Sequence, residues 1–482
     1  MKNLILKEIE YLKNCSVDYG DIRFVDTTTE RISTENLNVS SISNSRNKGF
    51  GVKVIYNGSL GFASTRNVDD LHSACENALR IAKASNKLQR EKIKMAPKNV
   101  VQDHYSTPIE IDPFTVPLTE KIKLLLSSER EMRMSSELVK TEASMDFQKQ
   151  EKIFADTEGS YITQTLYEAG GGIVATAAKD GDMQIRSYPN SFRGNHGTAG
   201  YEYVLALDLL GHSEKIGMEA VKLVEAEECP SGIYDIIIGG NQLGLQVHES
   251  IGHPIELDRV FGSEAAYAGM SFVTVDMMRE GFKYGSEHVT VVADATLPSA
   301  LGTFGYDDDG VEAQKTVIID KGILKNLISS RDTAAKLDMK SNGTNRADGW
   351  SNIPIVRMTN INLMPGDYEL DDLIKGIEYG FYLDTNKSWS IDDKRLNFQF
   401  ATEIAYEIKD GELTGKIFKN PLYTGITPEF WGSCDGVCNE KYWKVYGTPN
   451  CGKGEPSQVA HVAHGTAPSR FRNIKVGVKD VK

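Results

Sequence analysis

A helix-stopping segment near the middle of the chain limits how the rest can fold. Apolar side chains recur at helical spacing from Ser213 to Glu228, and the segment Cys229–Gly232 follows directly. Its Cys-Pro-Ser-Gly sequence ends the helix, because proline cannot continue one and glycine permits a turn. A chain of 482 residues also exceeds what one hydrophobic core usually supports. We therefore predict two domains, residues 1–229 and residues 230–482.

The two halves differ in the elements that their patterns predict. Asn57-Gly58 lies between two apolar runs and predicts a β-hairpin, because both residues tolerate positive φ. The helices of the first half are predicted at Leu4–Leu12, Asp69–Ala84, Thr119–Met134 and Ser213–Glu228, and its first strands at Asp21–Val25, Leu37–Ile42 and Gly51–Tyr56. The second half is richer in strand patterns and has hairpin turns at Lys321-Gly322 and Asp410-Gly411. The predicted fold class is α+β, with an N-terminal α/β unit and a β-rich C-terminal domain that carries a helix beginning near Gln242.

Composition limits the partners and the compartment. The net charge is −13 and the basic residues are spread thinly, which disfavours strong nucleic-acid binding. No apolar run approaches the roughly 20 residues of a membrane span or the roughly 7–15 of a secretory signal. We therefore expect a cytoplasmic protein without nucleic-acid or membrane partners. Six cysteines in so long a chain do not form a disulfide framework, and Cys15, Cys75 and Cys229 are expected to be small buried side chains.

The segment His248–His253, with the sequence His-Glu-Ser-Ile-Gly-His, carries the most specific chemistry in the chain. It follows a buried strand pattern that ends in a Gly turn, and Asn241 is predicted to cap the helix. Two histidines four residues apart lie about 40° apart on an α-helix and can bind one ion. Here the spacing is five residues, which places the side chains about 140° apart in a regular helix. A π-bulge with i→i+5 bonding removes this difficulty, and Gly252 has no side chain to resist it. We predict such a bulge between His248 and His253.

A catalytic zinc site takes three protein ligands and leaves one position open for water. Cys451 is the best third ligand in the sequence, because the glycine after it leaves the thiolate accessible and Lys453 favours the ionised form. Glu256 and Glu264 are alternative third ligands. A hydrogen-bonded structural cluster without metal is the competing interpretation of the helix.

A series of short sequence segments, spread over nearly the whole chain, accompanies the two histidines. In order, they are Gly49–Ile55, Gly61–Ala63, the helix with its two histidines, Asp307–Gly310, Lys321–Asn326, Arg357–Asn360, Leu363–Asp367 and Cys451–Lys453. This series resembles the TldD/PmbA family of metallopeptidases, in its TldD-like, metal-bearing branch. The resemblance implies that His248, His253 and Cys451 bind zinc and that Glu249 is the catalytic base. It also implies a dimer, formed with a second copy or with a paralogue that lacks the metal motif. The chain departs from the Gly-rich stretch of the family at Glu455–His464, which leaves open the oxyanion and substrate contacts and the roles of His461 and His464.

The predicted function is a zinc-dependent peptidase that hydrolyses peptide bonds in unfolded or flexible peptides. Zinc acidifies water and polarises the scissile carbonyl, while Glu249 accepts the proton of the water and passes it to the leaving amine. The abundance of strands suggests that the peptide adds as an extra strand. One alternative is a non-catalytic peptide-binding or scaffold subunit of a TldD/PmbA-type dimer. Another is a structural zinc or redox protein that uses Cys434, Cys438 and Cys451.

Overall fold

A computed structural model describes residues 1–89, 91–267 and 269–477 of the chain. The α-helices are α1 (Lys2–Asn14), α2 (Leu71–Ser85), α3 (Leu118–Met132), α4 (Tyr201–Ala206), α5 (Leu209–Glu225), α6 (Gly240–Val247), α7 (Leu257–Val260), α8 (Val275–Glu280), α9 (Arg331–Ala335), α10 (Leu370–Lys375) and α11 (Thr427–Gly432). Short 3₁₀ turns lie at Val68–Asp70 and Glu440–Tyr442. No helix in these described ranges has both the length and the apolar character needed to cross a membrane.

The strands of the first half form one mainly antiparallel sheet. They are β1 (Tyr19–Glu35), β2 (Asn38–Tyr56), β3 (Ser59–Thr65), β4 (Gln102–Ser106), β5 (Leu138–Asp156), β6 (Tyr161–Lys179), β7 (Asp182–Tyr188) and β8 (Asn195–Gly197). Their order is β3-β2-β1-β5-β6-β4, and β7 and β8 also pair with β6. Helices α3 and α5 cover part of one face, where Leu125, Ile216 and Ala220 are buried against the strands.

The strands of the second half form several sheets. They are β9 (Glu227–Glu228), β10 (Gly232–Ile238), β11 (Val291–Asp294), β12 (Lys315–Asp320), β13 (Ile323–Leu324), β14 (Asn345–Arg346), β15 (Ile355–Val356), β16 (Ile361–Leu363), β17 (Tyr379–Ile391), β18 (Asn397–Lys409), β19 (Glu412–Lys419), β20 (Leu422–Ile426), β21 (Cys434–Val437), β22 (Lys444–Lys453), β23 (Gln458–Thr466) and β24 (Ser469–Val476). Pairings run from β17 through β10, β24, β20 and β18 back to β17, which closes a barrel. Strand β10 is part of the wall of this barrel. Its residues Ile236, Ile237 and Ile238 are fully buried in the apolar core, and the strand leads directly into α6.

The predicted α+β class is confirmed, and several predicted boundaries need correction. Residues 38–42 and Gly51–Tyr56 belong to one long strand, β2, because β1 pairs with the polar stretch between them, whereas Leu37 lies in the turn before β2. Helix α5 begins at Leu209 rather than Ser213, since the Asp208 side chain accepts a hydrogen bond from the Gly211 N–H and caps it. The predicted hairpin turns are confirmed, and Asn57, Lys321 and Asp410 all adopt positive φ.

The change from the first sheet to the barrel falls between α5 and β10, beside the predicted boundary at residue 229. The division into two domains remains a prediction. A buried ion pair holds the first sheet against the second half: Lys53 of β2 contacts Asp309 at 2.5 Å. Lys53 also contacts Asp21 of the neighbouring strand β1 at 3.2 Å. The cysteines in the described part of the chain are free thiols. Cys75 is buried as expected, but Cys15 and Cys229 are only half-buried.

Candidate metal centre

The segment His248–Gly252 is a π-helical turn that continues α6, so the predicted bulge is confirmed. The His253 N–H donates to the His248 carbonyl at 3.1 Å, which is the i→i+5 bond of a π turn. The two imidazole rings consequently lie 4.9 Å apart, centre to centre, at 89°. The predicted Asn241 cap is wrong. Gly239 is the cap residue, and the Asn241 side chain instead accepts hydrogen bonds from the N–H groups of Gln242 and Thr385.

The π turn is held by contacts to the backbone that it distorts. In a regular helix the Ser250 carbonyl would accept from residue 254, but that residue is Pro254 and has no N–H. The hydroxyl of the fully buried Tyr284 donates to this carbonyl instead. The Ser250 hydroxyl accepts from Trp431 Nε1 at 2.9 Å. The Tyr284 hydrogen bond satisfies the buried Ser250 carbonyl, which would otherwise destabilise the turn.

A hairpin from the end of the chain supplies the third donor. Strands β22 and β23 pack on α6, and a register shift between Thr448 and Cys451 sets Cys451 opposite Ala460. Among the described residues, the ligand atoms of His248, His253 and Cys451 form the one group of three metal donors, all within 4.8 Å of one another. Cys451 Sγ lies 3.8 Å from His253 Nε2. Tetrahedral zinc with ordinary bond lengths needs a sulfur–nitrogen separation of about 3.6 Å, so these residues fit a zinc ion.

A buried carboxylate orients His253 through the ring nitrogen that faces away from Cys451. Its Nδ1 lies 3.0 Å from Glu256 Oε2, so Nδ1–H donates to the carboxylate and Nε2 faces Cys451. Lys453 and Arg259 also contact Glu256, at 3.4 and 3.3 Å. Burial alone would raise the pKa of the Glu256 carboxyl, but Lys453, His253 and Arg259 hold it well below its ordinary value. Glu256 therefore orients a candidate ligand histidine, an arrangement that carboxylates commonly provide at zinc sites.

His248 is backed by a second histidine rather than by a carboxylate. His248 Nδ1 lies 2.8 Å from His464 Nε2, and His464 Nδ1 lies 3.0 Å from the Ile361 carbonyl. His464 is 1% exposed. Burial and the neighbouring His248 and His253 hold the pKa of His464 well below its ordinary value.

The Glu249 carboxylate lies in the same turn and is held by the β17–β18 hairpin. Trp389 Nε1 donates to Oε1 at 2.9 Å and Arg395 donates to Oε2 at 2.7 Å. Burial alone would raise the pKa of Glu249, but His253, His248 and Arg395 lower it below its ordinary value. The carboxylate is therefore ionised near neutral pH. No sequence pattern indicated Trp389 or Arg395, which lie 140 and 146 residues further along the chain.

The charges of the donor set favour a metal cation. Burial alone would raise the pKa of the Cys451 thiol, but His248, Arg357 and His253 hold it well below its usual range. The sulfur is therefore a thiolate, the form that binds zinc. Arg357 is fully buried and donates hydrogen bonds to the carbonyls of Cys451 in β22 and Gln458 in β23. These bonds fix the backbone of both strands of the hairpin.

Other candidate residues lie outside the group of three. Glu264 accepts a hydrogen bond from the Gly454 N–H at 3.1 Å and does not belong to it. Cys434 and Cys438 are buried in the barrel core, and neither joins Cys451 in a donor group within the described ranges. His461 projects from β23 and pairs with Glu168 of β6 at 2.5 Å.

Family models match the chain in three consecutive parts. The PmbA/TldA metallopeptidase domain 1 matches residues 20–82, the central domain residues 111–226, and the C-terminal domain residues 231–477. The chain therefore belongs to the PmbA/TldD family of metallopeptidases, and the resemblance inferred from its sequence is confirmed.

Individual relatives cover almost the whole chain. Metalloprotease MJ0996 of Methanocaldococcus jannaschii is 30% identical over 441 residues, which cover 91% of this chain and 93% of the relative. A metalloprotease TldD homolog of Buchnera aphidicola is 26% identical over 481 residues, covering 97% of this chain and 94% of the relative. A zinc metalloprotease TldD homolog of Saccharolobus solfataricus is 22% identical, covering 98% of this chain and 99% of the relative.

Solved structures share the fold. A putative modulator of a DNA gyrase from Thermotoga maritima superposes with a TM-score of 0.76 at 17% identity, covering 99% of this chain and 100% of the other. TldE from Thermococcus kodakarensis superposes with a TM-score of 0.70 at 17% identity, covering 98% and 100%. At these identities the likeness concerns the fold alone.

Proposed function

We propose that this chain is a zinc-dependent peptidase that hydrolyses peptide bonds in unfolded or flexible peptides. The observation that carries the proposal is the approach of His248, His253 and Cys451 to within 4.8 Å of one another beside the Glu249 carboxylate. Two neutral imidazoles, one thiolate and an adjacent carboxylate that is not a ligand form the composition of a catalytic zinc site. Relatives named metalloproteases, one of them a zinc metalloprotease, support the same reaction class.

The residues of the chain have separate roles in this proposal. Bound zinc supplies Lewis acidity toward water and toward a peptide carbonyl. Glu249 is the general base: it accepts a proton from water and later gives it to the leaving amine. Each Glu249 oxygen accepts one hydrogen bond, from Trp389 or Arg395, and an ionised carboxylate oxygen has a further lone pair for water. The β17–β18 hairpin thus orients the base without using up its capacity to accept a proton.

Adjoining cavities near the metal centre provide a path for an extended peptide. Their volumes are about 300, 450 and 400 Å³. The first two share His461, and the last two share Arg193. Asn450, next to ligand Cys451, lines the middle cavity. Ser, Thr, Asn and Gln side chains make up much of the lining, which favours contacts to a peptide main chain over deep side-chain pockets.

The edge of β2 offers main-chain hydrogen bonds along this path. In the described part of the chain, β3 pairs only with Phe50–Tyr56, whereas β1 pairs with β2 from Asn38 to Ile55. The outer edge of β2 before Phe50 is therefore open, and Ser43 and Ser45 line the middle cavity. We propose that the peptide adds here as a strand. N-methylation of single peptide amides should weaken binding more than alanine substitution of side chains. The opposite ranking would refute strand addition.

The test of the proposed activity measures zinc content and cleavage of a flexible peptide on the same samples. Wild type is expected to hold one zinc and to cut. Cys451→Ala should lose the zinc and the activity. Glu249→Gln keeps the ligands and the shape of the side chain, so it should hold zinc but not cut. Cys434→Ala removes another buried thiol of the same half and is the matched control, expected to keep both properties.

Each other outcome has a distinct meaning. Full zinc and activity in Cys451→Ala would refute the third ligand. Zinc binding without cleavage in wild type would favour the alternative, a non-catalytic peptide-binding or scaffold subunit of a TldD/PmbA-type dimer. The proposal also includes cytoplasmic action and dimerisation, with a second copy or with a paralogue that lacks the metal motif. Sedimentation of the purified chain, which should give twice the monomer mass, tests the homodimer.

A further inference from the structure

His464 joins the ligand helix to the backbone of another strand. It lies on β23, and only 1% of it is exposed. Its Nε2 lies 2.8 Å from His248 Nδ1, and its Nδ1 lies 3.0 Å from the carbonyl of Ile361 in β16. The rings of His248 and His464 meet edge to face, with centres 4.9 Å apart at 85°. His464 does not belong to the group of three donors.

The chemistry of these partners fixes where each proton lies. A carbonyl only accepts hydrogen bonds, so the His464 nitrogen that faces Ile361 must carry a proton. A second proton on His464 would place a positive charge in a buried site, beside two other histidines, at high cost. His464 is therefore neutral, and its Nε2 is an acceptor. His248 Nδ1 must then be the donor, which leaves the lone pair of a neutral His248 on Nε2.

We infer that His464 is a positioning residue for the metal centre: it holds His248 in the tautomer and ring orientation that present Nε2 to the metal. This inference rests on the proposed function, since it requires a metal at these residues. It also assigns a role to a histidine that the sequence pattern left open.

Different chemical groups accept the hydrogen bonds of the two proposed ligand histidines. Glu256, a carboxylate, supports His253, whereas a neutral imidazole supports His248. A carboxylate adds negative charge near the metal, whereas a neutral imidazole does not. His464 therefore orients His248 and selects its tautomer without changing the net charge of the site. Loss of His464 should therefore weaken metal binding while leaving the charge balance of the site unchanged.

The test compares zinc affinities, measured by competition with a chromophoric chelator. His464→Leu fills similar space but cannot accept a hydrogen bond, and it should weaken zinc binding about 10–100-fold. In His464→Gln, the amide oxygen replaces the accepting Nε2, and affinity should return to within a few-fold of wild type. Thr466→Val is the matched control, because it removes another buried hydrogen bond of β23, to the Gly240 carbonyl, without touching a ligand. Its zinc affinity should be that of wild type.

A second measurement keeps the inference testable if a variant does not fold. NMR of wild-type protein with ¹⁵N-labelled histidine should find both His248 and His464 protonated on Nδ1. A His248 ring without a proton on Nδ1 in the zinc-bound protein would overturn the inference, as would wild-type affinity in His464→Leu. Equal losses in the Leu and Gln variants would also overturn it, since packing would then explain both. If wild type binds no zinc at all, the proposed function itself fails, and this inference fails with it.

Discussion

Gly252 is the position where a single methyl group should disturb the metal centre most. It ends the π turn and directly precedes ligand His253. A Cβ at residue 252 would lie 2.1 Å from Met358 Sδ and 3.3 Å from Met358 Cε and Cγ. Ordinary contacts are about 3.5–4.0 Å, so either Met358 or the turn must move by roughly 1.5 Å. Met358 is fully buried, so it cannot move out into solvent.

The expected cost of Gly252→Ala follows from this overlap. Overpacking of this kind costs about 1–3 kcal/mol in a well-packed core. Replacing glycine also stiffens the unfolded chain, which offsets about 0.4–1 kcal/mol. A net loss of about 1–2 kcal/mol should lower the unfolding temperature of the zinc-free protein by about 2–8 °C. Because His253 follows directly, zinc affinity should fall as well.

A double-mutant cycle isolates the contact. Met358→Ala removes the sulfur and alone should cost about 2–5 kcal/mol through the cavity it leaves. In Gly252→Ala/Met358→Ala the new methyl enters that space, so the double variant should be more stable than the sum of the single losses by about 1–3 kcal/mol. Thermal unfolding and chelator competition on the four proteins measure both effects. Additive losses, or a Gly252→Ala variant with wild-type stability and zinc affinity, would refute the reasoning.

Three further expectations concern the surrounding charges and the metal. Lys453→Met should destabilise the protein by about 3–5 kcal/mol in urea unfolding, because buried Asp258 would lose its cation and buried Glu256 would keep only Arg259; Lys453→Arg should lose less. Burial alone would lower the pKa of His461, but Glu168 raises it above its ordinary value, so this pair stabilises the fold fully below the pKa of an unfolded-chain histidine and progressively less as pH rises through the folded pKa. The stability difference between wild type and Glu168→Gln should therefore shrink from pH 5.5 to pH 8.5 in thermal scans, and a constant difference would contradict this. Zinc at 100 times its dissociation constant should stabilise wild type by about 2.7 kcal/mol but leave Cys451→Ala unchanged, and equal stabilisation of both would place the zinc elsewhere.

Local chemistry made part of the site predictable from the sequence. The five-residue spacing of His248 and His253 excludes a regular helix if both bind one ion, which predicts the π turn that the structure has. The hairpin turn at Asn57-Gly58 was also predictable, since the tolerance of positive φ depends on the residue type alone. The reason given for Gly252 was incomplete: the position lacks room for a side chain because Met358 packs against it.

Contacts across long stretches of sequence were not predictable in the same way. Trp389 and Arg395 reach Glu249 only because β17 and β18 pair beside β10 in the barrel. The contact between His464 and His248 was not predictable, since nothing in the spacing of β23 indicates that Gly244 and its neighbours in α6 lie beneath His464. Strand register and packing partners depend on the whole barrel, which a short sequence window does not encode.

The pairing of β10 with β24 has a consequence for folding during synthesis. The ribosome delivers His248 and His253 soon after β10, but Cys451, His464 and β24 follow only about 200 residues later. Until then, the barrel lacks the strand between β10 and β20, and the proposed ligand set lacks its sulfur. Under the proposed activity, a nascent chain that has not yet reached Cys451 therefore cannot cut its own unfolded segments or those of its neighbours. Barrel closure and the onset of catalysis both wait for the segment that contains Cys451 and β24.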